Sequence, residues 1–229
     1  MPSTRAGRAL WYECGVTRRT AVTAVAAALL YVVLWIGSAQ DWSWLSAFDW
    51  WLLAPLHDFG VAHPAWVALW DAFCTIFGPA VFRLVTLIPI IWLLVRGDRG
   101  AALFLFVSVE LNGVLIEVAK YIAGRARPDT ALVSAWSLSF PSGHALGVLV
   151  SVLALLTVLL PMVDPRWRRP LMIAGAVIVV AIGWGRVVLN VHHPSDVLAG
   201  WALGYLYYLA CLPLLTAWGG RPAALDTSR

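Results

Sequence analysis

Eight residues in three short polar stretches have the types and spacing to act on a phosphate group. The first stretch runs from Lys120 to Arg127-Pro128, the second is Pro141-Ser142-Gly143-His144, and the third joins Arg186 to His192 and Asp196. Arginine offers a planar fork of N–H donors that matches phosphate oxygens, and lysine adds a point charge. Lys120, Arg127 and Arg186 together suit a group whose transition state spreads negative charge over its equatorial oxygens. These residues interrupt an oily chain, where an ionisable side chain at membrane depth costs about 2.5–3.5 kcal/mol. A chain that keeps three cations, two imidazoles and a carboxylate there is using them.

Within the third stretch, His192 follows Arg186 by six positions and Asp196 follows His192 by four. Pro194 suits the first turn of a helix, which makes His193 the N-cap and puts Asp196 at about the third helical position. From there the carboxylate can reach back over the helix start and hydrogen-bond an imidazole, fixing its tautomer. Such a histidine is an activated nucleophile. Spacing alone does not choose between His192 and His193, and Asp196 serves equally as a plain cap. In the second stretch, a helix start exposes unpaired amides at a positive dipole end, Gly143 lets a ligand approach the backbone, and Ser142 adds a hydroxyl. His144 then stands where it can protonate a leaving oxygen. Taken by itself, Ser-Gly-His also describes an ordinary turn and cap. In the first stretch, Gly124 and Pro128 end the helix before Arg127, so Lys120 and Arg127 converge from a helix end and a loop.

The elements that must position these groups are membrane helices. Over 229 residues the chain is 61% hydrophobic and 12% charged, far from the soluble norm of about 25% charged. Six spans of about 20 residues fit this length and leave only short loops, so the chain reads as one all-α domain over 1–229, a polytopic six-helix bundle. Apolar runs predict helices near 19–39, 79–95, 100–123, 142–163, 170–190 and 194–217. The first run follows Arg18-Arg19, and Gly37-Ser38-Ala39 resembles a cleavage site; the run is read as a retained helix rather than a signal peptide. Cys14, Cys74 and Cys211 are scattered, without metal-type spacing, and read as small apolar fillers.

Charge fixes the expected orientation. Eleven of the sixteen Lys and Arg residues lie in the amino-terminal segment, Arg96 to Arg99, Arg166 to Arg169 and the tail. That set is cytoplasmic by the positive-inside rule. The other five, Arg83, Lys120, Arg125, Arg127 and Arg186, fall near the opposite helix ends, so the exceptions and the candidate site coincide. Snorkelling at a helix end accounts for Arg83 or Arg125 but not for the clustering. Between the first two spans, residues 40–78 are rich in tryptophan, including Trp42, Trp44, Trp50, Trp51, Trp66 and Trp70. Indole favours the membrane interface, so this segment is expected on the outer leaflet as one or two amphipathic helices that anchor the protein. The tail after Trp218 reads as disordered. Glu110 and Glu117 share a helical face, and Glu117 precedes Lys120 by three positions, which favours a supporting role beside it. His57 and His63 read as interfacial, and Asp129 as the start of a turn.

The combination of Lys120-x6-Arg127-Pro128, Pro141-Ser142-Gly143-His144 and Arg186-x5-His192-x3-Asp196 resembles the three-part signature of the type 2 phosphatidic acid phosphatase family. The motifs cover residues 120–196, and the six-span layout extends the likeness over most of the chain. One departure is Gly185, where the family often has serine before the arginine. The resemblance implies a phosphatase that needs no metal or other cofactor, in which His192 attacks phosphorus to give a phosphohistidine. It selects His192 over His193, gives Asp196 the orienting role and makes His144 the proton donor. Lys120, Arg127 and Arg186, with Ser142 and the amide of Gly143, would bind the phosphoryl oxygens.

The expected partner is a membrane lipid phosphate: a polyprenyl pyrophosphate, phosphatidylglycerol phosphate or phosphatidic acid, bound with its chain in the bilayer. The expected home is a cell inner (plasma) membrane, with the site facing the periplasmic or extracytoplasmic side. Nothing in the sequence points to nucleic acid, and nothing fixes the oligomeric state. The same motifs serve a lipid phosphotransferase, in which another hydroxyl replaces water. They also resemble the vanadium haloperoxidases, which are soluble, unlike this chain. A lipid transporter or scaffold with a relic site is the non-catalytic alternative, against which His144, His192 and Asp196 all stand intact.

Overall fold

The computed structural model describes residues 18–217. Cys14, Arg5, Arg8 and the tail after Trp218 lie outside the described residues. Every regular element among the described residues is helical: α1 (Arg18–Ala39), α2 (Ser43–Ala62), α3 (Pro64–Ile76), α4 (Pro79–Val95), α5 (Arg99–Leu105), α6 (Asn112–Ala123), α7 (Gly143–Leu159), α8 (Pro165–Val188), α9 (Pro194–Cys211) and the short α10 (Leu214–Ala217). Six stretches are long and apolar enough to cross a membrane: Arg18–Ala39, Pro64–Val95, Arg99–Ala123, Gly143–Met162, Pro165–Val188 and Pro194–Thr216. Large apolar side chains such as Leu84, Ile88, Val95 and Tyr121 point outward from these helices, as they must where the surrounding solvent is lipid.

Helix ends follow local chemistry. Asp98 and Asp164 cap α5 and α8 by accepting from the amides of Ala101 and Arg166. The fifth span begins at Pro165 rather than near residue 170, because Asp164 and Pro165 form the start and Pro170 is tolerated inside. Gly124, in the left-handed conformation with φ 66°, terminates α6. The third span is not one continuous α-helix. A π-turn at Phe106–Glu110 separates α5 from α6, so the seven-residue spacing of Glu110 and Glu117 crosses an irregular turn. Glu117 is exposed, and Oε1 of Glu110 is buried without a hydrogen-bond partner.

The bundle core is built where α9 meets α7 and α1 and where α7 meets α8. A Cβ on Gly200 would stand 2.6 Å from the carbonyl oxygen of Ser142, and one on Gly204 would stand 3.2 Å from that of Leu146. Gly200 and Gly204 are four apart, so they form a stripe of small residues that lets two membrane helices approach closely. That seam presses the start of α7 against the first turns of α9. The Trp-rich segment forms two helices, α2 and α3, but α3 is apolar enough to join α4 in the second membrane-length stretch, Pro64–Val95, so that stretch begins well before residue 79. Both pack on the bundle: α2 buries Leu45, Asp49, Leu53 and Gly60, and α3 sets Trp70 and Cys74 against Val148, Val152 and Ile182.

Candidate active site

The end of α6, the start of α7, the end of α8 and the start of α9 all lie at one end of the bundle, so alternation of the helices gathers the three polar stretches. The connection from Gly124 to Ser142 is sewn over this end. Its Leu132 amide donates to the Leu189 carbonyl (3.0 Å), Thr130 Oγ1 to Asn190 Oδ1 (2.9 Å), and the Ser142 amide to the Asp196 carbonyl (2.9 Å). Asp129 and Thr130 form the expected turn.

At the centre is His192, buried on the short link between α8 and α9. Arg127 donates from Nη1 to Nε2 of His192 across 3.2 Å. A guanidinium can only donate, so Nε2 accepts and the ring proton is on Nδ1. Arg127 also donates to the carbonyls of Val191 (2.6 Å), Ser137 (2.9 Å) and Trp136 (2.9 Å), while Lys120 Nζ donates to Ser137 Oγ (2.7 Å). Lys120 therefore points to the loop and not to Glu117. The cations meet at Trp136 and Ser137, whose carbonyl and hydroxyl oxygens offer the same kind of acceptor as a phosphoryl group. Ser137 is left-handed, with φ 69°, and Trp136 is 89% exposed beside it.

Arg186 reaches the same centre from the last turn of α8. Its side chain is buried, and its Nε has no hydrogen-bond partner. Lys120, Arg127, Arg186, His144 and His192 lie within Coulombic reach of one another. Ser142 is the N-cap of α7, with its Oγ accepting from the Ala145 amide at 3.5 Å, and Gly143 and His144 occupy the first turn as the sequence predicts. All eight candidate residues are thus at one end of the fold.

The carboxylate partner departs from expectation. Asp196 does reach back over the start of α9, where Oδ2 accepts from the His193 amide at 2.8 Å. Its Oδ2 is 3.6 Å from Nδ1 of His192, too long for a direct hydrogen bond, and 3.2 Å from Nδ1 of His193. Ser139 fills the gap. Its hydroxyl donates to Asp196 Oδ2 at 2.5 Å and lies 3.4 Å from His192 Nδ1, so it can accept the Nδ1 proton while donating its own. The sequence reading missed Ser139, for which the only signal was a hydroxyl two residues before Pro141. His193 makes an edge contact with Trp50. Arg125 is not a snorkelling cation: it pairs with Asp196 Oδ1 at 2.7 Å.

Electrostatics follow these contacts. Burial pushes the His192 imidazole below its ordinary value, against the opposing pull of Asp196. Burial also lowers Arg127, assisted by the like charge of Arg186. Burial works against the charge of Arg125 too, but Asp196 and Asp49 outweigh it and hold that guanidinium above its usual value. A cleft of about 400 Å³ opens beside the site, lined by Trp42, Trp50, Arg127, Pro128 and His193. Gly185 has no room for a side chain, since a Cβ there would stand 2.6 Å from Cys74 Sγ and 2.8 Å from Trp70. The space that a serine side chain would need at this position is filled by α3, which packs against α8 there.

A family model described as the PAP2 superfamily matches residues 101–219. Over 119 residues the chain is 34% identical to an undecaprenyl-diphosphatase of Sulfolobus acidocaldarius, covering 49% of this chain and 54% of that protein. It is 41% identical over 99 residues to phosphatidylglycerophosphatase B of Bacillus subtilis, covering 42% and 48% respectively. A lipid A 1-phosphatase of Rhizobium johnstonii is 36% identical over 127 residues, covering 50% of this chain and 46% of that protein. The chain spans about half the length of the curated relatives it matches. The crystal structure of a transmembrane PAP2-type phosphatidylglycerolphosphate phosphatase from Bacillus subtilis has the same fold, with a TM-score of 0.68 over 82% of this chain and 94% of that one at 23% identity.

Proposed function

The chain belongs to the PAP2 superfamily, and on that premise we propose that it is an integral membrane lipid phosphatase working through a phosphohistidine. The observation that carries this reading is the contact between Arg127 Nη1 and His192 Nε2. It identifies Nε2 as the unprotonated nitrogen of a buried imidazole, whose lone pair Arg127 engages at rest and must release to phosphorus when its guanidinium turns to the phosphoryl oxygens. In the first step Nε2 attacks phosphorus and the bond to the leaving oxygen breaks. His144 gives that oxygen its proton, releasing a lipid alcohol from a monoester or a lipid monophosphate from a pyrophosphate. Lys120, Arg127 and Arg186, with Ser142 and the Gly143 amide, hold the phosphoryl oxygens, which take the places that Trp136 and Ser137 fill at rest. Positive charge on the phosphorylated ring is offset by Asp196 through Ser139. In the second step His144 removes a proton from water, which attacks the phosphohistidine and frees inorganic phosphate.

The site end lies opposite the loops that carry Arg96 to Arg99 and Arg166 to Arg169. With the positive-inside rule, that supports a site on the outer face of a cell inner (plasma) membrane. The names of the relatives support polyprenyl pyrophosphate, phosphatidylglycerol phosphate or lipid A 1-phosphate as substrate, and the resemblance of the motifs adds phosphatidic acid. One transmembrane phosphatase domain over 1–229 completes the reading.

The test is phosphate release by detergent-purified protein in EDTA, from a panel of these lipids, beside His192→Ala. Chelator-resistant release that disappears in the variant is the expected result. Full activity in His192→Ala would remove the nucleophile from this scheme. Phosphate release from no lipid, restored only when an alcohol acceptor yields a phosphorylated product, would replace the hydrolase with a phosphotransferase.

A further inference from the structure

The Trp-rich outer helix α2 carries one carboxylate in its buried face. Leu45, Asp49 and Leu53 repeat every four residues on that face, and Asp49 is 0% exposed. A carboxylate in an apolar stripe is stable only if it is paired and hydrogen-bonded. Both of its oxygens are engaged at the start of α9: Oδ1 accepts from the Ser195 amide at 2.9 Å, and Oδ2 accepts from Ser195 Oγ at 2.7 Å. Arg125 then joins Asp49 to the centre. Its Nη2 donates to Asp49 Oδ2 at 2.7 Å, while its Nη1 donates to Asp196 Oδ1 and to Ser195 Oγ, each at 2.7 Å.

We propose that Arg125 and Asp49 are positioning residues for the nucleophile, a clamp by which the outer helix fixes the rotamer and charge of Asp196. The inference rests on the reading of His192 as nucleophile. Arg125 occupies Oδ1 of Asp196, so Oδ2 alone faces Ser139 and the imidazoles. Asp49 in turn fixes the guanidinium, whose planar fork spans two carboxylates seated on elements far apart in sequence. Formally, two buried carboxylates and one guanidinium leave one negative charge in excess. While His192 is neutral that charge is offset only at longer range by Lys120 and Arg127, and it gains a nearer partner when Nε2 is phosphorylated and the ring becomes cationic. The clamp is thus organised for the phosphoenzyme rather than for the resting state, which places its effect on the chemical step and not on binding. Arg125 is not one of the phosphate-binding cations, because its donors are directed at carboxylates.

The experiment compares Asp49→Asn, Arg125→Lys and Arg125→Gln in full-length protein reconstituted with the lipid that the wild type hydrolyses best. His192→Ala serves as the baseline, and each variant's melting temperature is measured alongside. Asp49→Asn should lower kcat roughly ten- to a hundredfold, the range expected for losing a charge-assisted hydrogen bond, with KM within about threefold of wild type. Arg125→Lys, which keeps the charge, should be clearly more active than Arg125→Gln. The Asp49→Asn/Arg125→Gln double variant should lose less than the product of the single losses, because the two residues act through one contact. Folded Asp49→Asn and Arg125→Lys enzymes with wild-type kcat would overturn the clamp. So would losses in kcat and KM that simply follow melting temperature, with lysine no better than glutamine at 125. If His192→Ala itself retains turnover, the reading of the nucleophile fails first, and that result is separate from either outcome for the clamp.

Discussion

Putting serine at position 185, as proteins of this family often have it, should harm this protein. A Cβ there would stand 2.6 Å from Cys74 Sγ and 2.8 Å from Trp70 Cε3, whereas ordinary contact between carbon atoms is about 3.5–4.0 Å. Both obstacles belong to α3. Cys74 is buried and Trp70 half-buried in the cluster that joins α3 to α7 and α8, so neither can swing into open space. Overpacking of this kind costs about 1–3 kcal/mol. At about 2–4 °C per kcal/mol for a chain of this size, Gly185→Ser should melt roughly 2–12 °C below wild type in detergent. Arg186 is the next residue and packs beside Cys74, so turnover should fall as well. Cys74→Ala removes the nearer obstacle and should recover part of the loss when combined with Gly185→Ser, a coupling that a double-mutant cycle measures. A Gly185→Ser protein as stable as wild type would refute the packing argument. So would a loss of the same size in the Cys74→Ala background.

The remaining predictions concern the site. Ser139→Ala deletes the hydroxyl between Asp196 and His192; a charge-assisted bond worth about 1.5–3 kcal/mol translates into a kcat lower by roughly ten- to a hundredfold, and steady-state kinetics showing no change would mean that His192 does not need the bridge. Lys120→Ala should raise KM and lower kcat together, since its Nζ lies among the donors proposed to bind phosphate; a change in neither would remove Lys120 from the proposed binding set. Burial lowers the tendency of His192 to charge, so its ring should remain neutral, protonated on Nδ1, as pH falls through 6.5 toward 5. Nitrogen-15 NMR of imidazole-labelled protein reads this directly, and an imidazolium signal from His192 at pH 6 would contradict it.

The site also explains the cost of the polar stretches. Asp49, Lys120, Ser139, Arg186, His192 and Asp196 are all buried at one end of an apolar bundle. Asp49, Lys120, Ser139, His192 and Asp196 are each hydrogen-bonded to other polar groups of the site. Nε of Arg186 is buried without a hydrogen-bond partner, and a phosphoryl oxygen is the acceptor proposed for that side chain. Loss of one member therefore strands its partner in low dielectric, which is why substitutions here should act in linked groups rather than singly.

The sequence by itself determined the class of fold, the six spans and the three motifs. Those depend on local composition and short spacing: a run of apolar residues long enough to cross a bilayer, a glycine or proline that stops a helix, and a histidine four positions before an aspartate. The tertiary structure decided which groups actually touch. Ser139 stands between His192 and Asp196 because the loop from Gly124 to Ser142 folds back over the start of α9. Gly200 and Gly204 matter because α7 approaches α9 at their backbones. Asp49 lies 76 residues before Arg125 and 146 before Ser195, and only the docking of α2 brings the three together. Its signal was present in the four-residue spacing of Leu45, Asp49 and Leu53. The partner was not, because a buried charge announces in sequence that it must be paired, while the choice of partner depends on the distances that packing sets.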